Sequence, residues 1–175
     1  SFDKLILSCG AKPRHLPVPG SDLSGVHMLR DARDAAAIRS ALGTGGPVVV
    51  IGGGFIGLEV AASARQSGAD VTVLEAQPRL LQRSLPAAAA ARVAALHQKN
   101  GVEIMTGCAL KGITGDARVT GVELTGGQHL PAALVVVGIG ILPETALARD
   151  AGLEVADGIL TDANCVTSHP DIYAI

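Results

Sequence analysis

The sequence predicts an α/β fold organised on a parallel sheet, and three observations carry that expectation. Four consecutive branched apolar residues, Val48–Ile51, have the pattern of a strand covered on both faces. Gly52, Gly54 and Gly57 follow at once in G-x-G-x-x-G spacing and open a helical run. A second apolar run, residues 71–74, then ends in an acid, Glu75. Strand, glycine turn, helix and strand make one βαβ unit.

The residue types in that unit point to a ligand. The first glycine permits a tight turn, the second lets the backbone approach a pyrophosphate, and the third lets the helix pack on the strand. The first-turn N–H groups of the helix have no intrahelical acceptor and sit at the positive end of its dipole, which suits phosphate. Ser67 and Gly68 end the helix. Glu75, about 20 residues past the glycines, is spaced to accept hydrogen bonds from an adenosine ribose diol. Strand before, helix after and acid at the next strand's tip are independent requirements. Together they define a Rossmann-like βαβ nucleotide-binding fold rather than a bare glycine turn.

The other elements follow in order. Residues 2–9 predict a strand, ended by Gly10 and a loop with Pro13, Pro17, Pro19 and Gly20. Residues 31–42 are alanine-rich and helical, with Asp31 or Asp34 at the start and Gly43 just past the end. After Glu75 comes a connection containing Arg79 and Arg83, then Pro86 opens a helical run to Gln98 that Asn100 and Gly101 stop. Val102–Thr106 is a third parallel strand, and two runs within residues 112–124 form a small antiparallel β meander with glycine turns. Leu134–Val137 is another buried strand. A short helix at residues 144–151 and short strands near Ile159 and Ile172 complete the chain. Strands at both ends lie outside the central unit and belong to another sheet, as in a chain that leaves one domain, forms a second and returns.

Composition narrows the function classes. The 175 residues suffice for one domain, or for one domain plus pieces of another. The net charge is −2, there is no basic run, and the aromatics are Phe2, Phe55 and Tyr173, a pattern that argues against nucleic acid as a partner. No apolar run reaches the length of a membrane span and no signal-peptide pattern opens the sequence, so a soluble cytoplasmic protein without membrane contact is expected. Cys9, Cys108 and Cys165 are far apart and odd in number, which speaks against a disulfide framework and for small buried apolar side chains. His15, His27, His97, His129 and His169 lack metal-ligand spacing, so no metal is expected.

Several segments resemble one family. Residues 2–14 are similar to the strand leaving the FAD domain of FAD-dependent pyridine nucleotide-disulfide oxidoreductases, which ends A-T-G-x-x-P-R; Ser8 and Cys9 replace the usual Ala and Thr. Residues 52–59, with Leu58 and Glu59 after the glycines, and the run Pro78, Arg79, Leu80, Leu81 resemble the NADH-binding turn of the ferredoxin reductase branch. Residues 136–140 with Pro143 resemble the exit from that family's nicotinamide domain, and residues 168–174 the start of its second FAD motif.

The resemblance implies an organisation and a set of roles. Residues 1–28 would be the last strand and linker of an FAD domain, 29–140 the NAD(H)-binding domain, and 141–175 the return to the FAD domain. Gly52, Gly54, Phe55, Ile56 and Gly57 would hold the pyrophosphate and nicotinamide side. Glu75 would hold the adenosine ribose, Arg83 would lie near the adenine, and Glu59 near the place where nicotinamide meets flavin. Gly138 and Gly140 would pass the nicotinamide, or else mark turns that need positive φ. No side chain is assigned a catalytic role, because the cofactors, NAD(H) and in the full-length protein FAD, carry the chemistry.

The implied function is the NADH-binding domain of a flavoprotein reductase that passes hydride from NADH to FAD and electrons to a ferredoxin-type iron-sulfur protein. The alternatives are the NADH half of a nitrite reductase, NADH oxidase or disulfide reductase, or a non-catalytic NAD(H)-sensing module. The family's first FAD fingerprint would precede Ser1 and the end of its second would follow Ile175, so the chain by itself is expected to be inactive. Its end strands would be open to pairing with each other or with a second copy.

Overall fold

The computed structural model describes residues 2–175; Ser1, the first residue of the expected opening segment, lies outside the described residues. The elements are β1 (Leu5–Leu7), β2 (Ala11–Pro13), β3 (Val26–Met28), α1 (Ala32–Leu42), β4 (Val48–Ile51), α2 (Phe55–Gln66), β5 (Val71–Glu75), α3 (Ala87–Lys99), β6 (Val102–Thr106), β7 (Leu110–Gly115), β8 (Val119–Leu124), β9 (His129–Pro131), β10 (Leu134–Val137), β11 (Ile141–Pro143), α4 (Ala146–Asp150), β12 (Val155–Ala156), β13 (Gly158–Ile159) and β14 (Ile172–Ala174). They fall into two compact units, one of residues 15–140 and one made from the segment up to Arg14 together with Ile141–Ile175.

The central unit is a parallel five-stranded sheet in the order β3-β10-β4-β5-β6. Alternation along its strands feeds two separate cores. Val48, Val50, Val71, Val73, Leu134 and Val136 pack with Ile38 of α1, Ala61 and Ala64 of α2 and Ala90 of α3. Their neighbours Val49, Ile51, Leu74, Val135 and Val137 pack with Ile113, Val119, Val122 and Leu124 of the antiparallel sheet β7-β8-β9. The three helices thus cover one face and the meander the other, which is why β4 and β10 are apolar at every position.

Helix ends follow the sequence signals. Asp31 caps α1 by accepting the Arg33 and Asp34 N–H groups at 2.8 and 3.1 Å, and the Asp34 carboxylate accepts the Asp31 N–H at 3.1 Å, a reciprocal capping box. Gly43 stands just past its end. α3 starts after Pro86 and runs one residue beyond the expected Gln98.

Two expectations change in this unit. Residues 15–28, expected with the opening segment, fall in the central unit, where β3 is an edge strand pairing Val26, His27 and Met28 with Val135, Val136 and Val137. Gly138 does not have positive φ; among the pair only Gly140 does, at 106°. A Cβ at Gly138 would stand 3.4 Å from the Gly57 nitrogen, an ordinary contact.

In the unit built from the chain's two ends, β1 pairs parallel with β14, placing Leu5 beside Ile172 and Leu7 beside Ala174. β2 pairs antiparallel with β11, and β12 with β13. A small core gathers Leu7, Ala148, Leu153 and Ala174. The strand expected over residues 2–9 is regular only at Leu5–Leu7. Cys165, expected buried, is exposed at φ 63° because it sits in a turn: the Asp162 carboxylate accepts the Asn164 and Val166 N–H groups, both at 2.9 Å.

Candidate functional site

β4 is the point where the sheet changes direction: the chain moves from β4 outward to β5 and β6, while β10 lies on the opposite side. Crevices at the carboxyl ends of parallel strands form at such switch points. Here those ends carry Gly138 after β10, Gly52 to Gly57 after β4, and Glu75 at the tip of β5. The topology therefore brings residues from three stretches of sequence to one sheet edge.

The glycines divide the work. Gly52 has φ 112° and turns the chain out of β4 while its N–H donates to the Leu74 carbonyl at 2.8 Å. A Cβ at Gly57 would overlap the Gly52 carbonyl oxygen, so the third glycine is required for α2 to sit against the turn. A Cβ at Gly54, by contrast, would meet nothing within 4 Å. Gly54 is also the N-cap of α2, and it offers no side chain to the first-turn N–H groups. Open space and uncapped donors coincide, which is what an incoming phosphate requires.

Glu75 is fixed beside this turn. Its Oε2 accepts the Gly53 N–H at 2.7 Å and its Oε1 the Gln77 N–H at 2.7 Å. Each carboxylate oxygen has lone-pair capacity left for a diol. Gly53 occupies a variable position of the motif, and its role appears only through this contact; a side chain there would run into Leu80.

The remaining expected site residues surround this centre. Phe55 and Ile56, the first two residues of α2, are 55% and 42% exposed and stand beside the glycine turn. Glu59 is exposed on the same helix, and Gly138 is drawn in by a 2.7 Å hydrogen bond from its N–H to the Ile51 carbonyl. Gly140 is exposed two residues further on. Arg83 is exposed in the loop after β5 and has no hydrogen-bond or ion-pair partner among the described residues.

The end unit holds a cavity of about 320 Å³ lined by Cys9, Gly10, Glu144, Thr161 and Ile175 among others. The Lys12 ammonium beside Glu144 holds that carboxyl below its usual range, with a further N–H from Ala146 at 3.2 Å. Among the described residues no helix is long and apolar enough to cross a membrane, and no cluster of His, Cys, Asp and Glu could hold a metal.

Known proteins share this fold. The family described as pyridine nucleotide-disulphide oxidoreductase matches residues 1–175. Rubredoxin-NAD(+) reductase of Ectopseudomonas oleovorans is 44% identical over 176 residues, covering 100% of this chain and 46% of that protein. A crystal structure of a ferredoxin reductase from Rhodopseudomonas palustris superposes with a TM-score of 0.97 at 39% identity, over 100% of this chain and 44% of that one. The reductase in a covalent putidaredoxin reductase-putidaredoxin complex gives 0.93 at 39% identity, over 100% of this chain and 43% of that one. The chain spans less than half the length of the curated relatives it matches.

Proposed function

The chain belongs to the pyridine nucleotide-disulphide oxidoreductase family, and from that premise we propose that its central unit is the NADH-binding domain of a flavoprotein reductase that serves a ferredoxin-type iron-sulfur protein. The observation that carries the reading is the pairing of an uncapped, open helix N-terminus at Gly54 with a carboxylate at Glu75, both tied to one glycine turn. The names of the relatives, reductases of rubredoxin and ferredoxin that use NAD(+), support the choice of partner class.

The roles of the side chains follow from their chemistry. The N–H groups of Phe55, Ile56 and Gly57 bind the pyrophosphate through the helix dipole and direct hydrogen bonds. Glu75 accepts the ribose hydroxyls and sets the register of the adenosine half. Phe55, exposed at the start of α2, is positioned to shield the nicotinamide side from water. FAD, when bound in the full-length protein, supplies the hydride acceptor and the splitting of an electron pair into single electrons for the partner. The exposed carboxylate of Glu59 and the backbone at Gly138 and Gly140 orient the nicotinamide end.

Titration of the chain with NADH by calorimetry or by nicotinamide fluorescence tests the binding step. Saturable one-to-one binding is expected; no binding at millimolar NADH overturns the reading.

A further inference from the structure

Arg79 has no part in the site as described, yet its guanidinium is held at three points. One terminal nitrogen, Nη1, donates to the Leu80 carbonyl at 3.4 Å and to the Leu85 carbonyl at 3.0 Å, and Nη2 donates to the Gln82 carbonyl at 3.1 Å. A planar fork that satisfies three main-chain carbonyls is a use of arginine that lysine cannot reproduce. The charge is thereby spent on the protein's own backbone.

What Arg79 holds is a loop clamped on the glycine turn. Leu81 lies inside that loop in the left-handed region at φ 52°, and its N–H donates to the Gly53 carbonyl at 2.9 Å. A leucine keeps that conformation only where the surroundings impose it. Leu80 and Leu81 are 2% and 4% exposed, and the Leu80 side chain fills the space in front of Gly53. Gly53 in turn donates to Glu75 at 2.7 Å. The chain of contacts runs from Arg79 through the loop to Gly53 and ends at the carboxylate.

We propose that Arg79 is a positioning residue for the ribose end of the nucleotide site: it fastens residues 80–85 over Gly53, so that Glu75 keeps the place from which it reads the ribose. It does so through carbonyls, not through its charge on the nucleotide. The inference rests on the NAD(H) reading above and deepens it.

The test compares wild type, Arg79→Ala and Arg79→Lys for NADH and NADPH affinity by calorimetry, with thermal melts on each. Both variants should bind NADH about tenfold more weakly, the equivalent of one charge-assisted hydrogen bond lost at the ribose. The margin between NADH and NADPH should narrow in both, because Glu75 is the discriminating group. Lysine must fail to rescue. Wild-type NADH affinity in Arg79→Lys would mean that charge is what matters, and unchanged affinity in Arg79→Ala would remove the role altogether; either overturns the proposal while leaving the NAD(H) reading intact. A wild-type chain that does not bind NADH overturns both. Should neither variant fold, amide exchange in wild type decides: the Leu81 N–H should exchange slowly and more slowly still with NADH present, whereas rapid exchange overturns the clamp.

Discussion

The Glu75 carboxylate accepts the Gly53 N–H at 2.7 Å across 22 residues of sequence. The acid at the tip of one strand is thus bonded to the glycine turn at the tip of the next. On the proposed reading the carboxylate that reads the ribose is tied to the turn that opens the phosphate site, and several consequences can be measured.

NADH should bind more tightly than NADPH. A 2′-phosphate would lie beside Glu75 and repel it, Ala76 and Gln77 offer no compensating cation and Arg79 is occupied by carbonyls, which leaves the exposed Arg83 as the cation that opposes the preference. The difference should be on the order of 1 to 3 kcal/mol, about tenfold to a hundredfold in Kd. Calorimetry with both coenzymes checks it, and equal constants would remove Glu75 from the role. Glu75→Ala should bring the two constants together.

Gly54→Val should abolish NADH binding and leave a cooperative melt. The added side chain enters space that is open in the protein and needed by the pyrophosphate. Gly57→Ala makes the contrast, because its methyl group overlaps the Gly52 carbonyl and should lower the melting temperature before any ligand is added.

Asp31→Ala should destabilise the chain by about 0.5 to 2 kcal/mol without touching NADH affinity, since it removes both N–H contacts that start α1. Urea unfolding measures the first effect and titration the second.

Acid should weaken the fold through His27. Burial, then the Arg118 charge, pushes this imidazole below its ordinary 6.5, with Asp34 opposing. A depressed histidine pKa means that the unfolded chain takes up protons first. The stability it contributes is therefore complete above about pH 6.5 and is lost as pH falls from there through the lower folded value. Melting temperature should drop from about pH 7.5 to about pH 5.5, and less steeply in His27→Gln. An identical slope in that variant would exclude His27 as the cause.

Legibility in the sequence tracked the range of the interaction. β4, α2 and β5 could be read because four branched residues, three glycines and an acid are local signals with a fixed meaning. β3 and β9 could not: each has three residues, and Val26 to Met28 becomes a strand only because Val135 to Val137 lies beside it. The pairs β2 with β11 and β12 with β13 contain Pro13, Pro143 and Gly158, which read locally as loop. Gly52, Gly57 and the open side of Gly54 have the places the motif implies. Gly53 acts through its own main-chain N–H and carbonyl, and Arg79 through the main-chain carbonyls of its loop, which no residue alphabet records.

Pairing of β1 with β14 has a consequence for biosynthesis. Lys4 and Asp171, which bridge these strands at 2.5 Å, are separated by 167 residues. A ribosome adding about 5 to 20 residues per second emits the second strand roughly 10 to 30 s after the first. During that interval Leu5 to Leu7 has no β14 to pair with, while residues 15–140 emerge as one uninterrupted stretch able to complete their own sheet. The central unit can therefore be native on the ribosome before the strands at the chain's two ends have met.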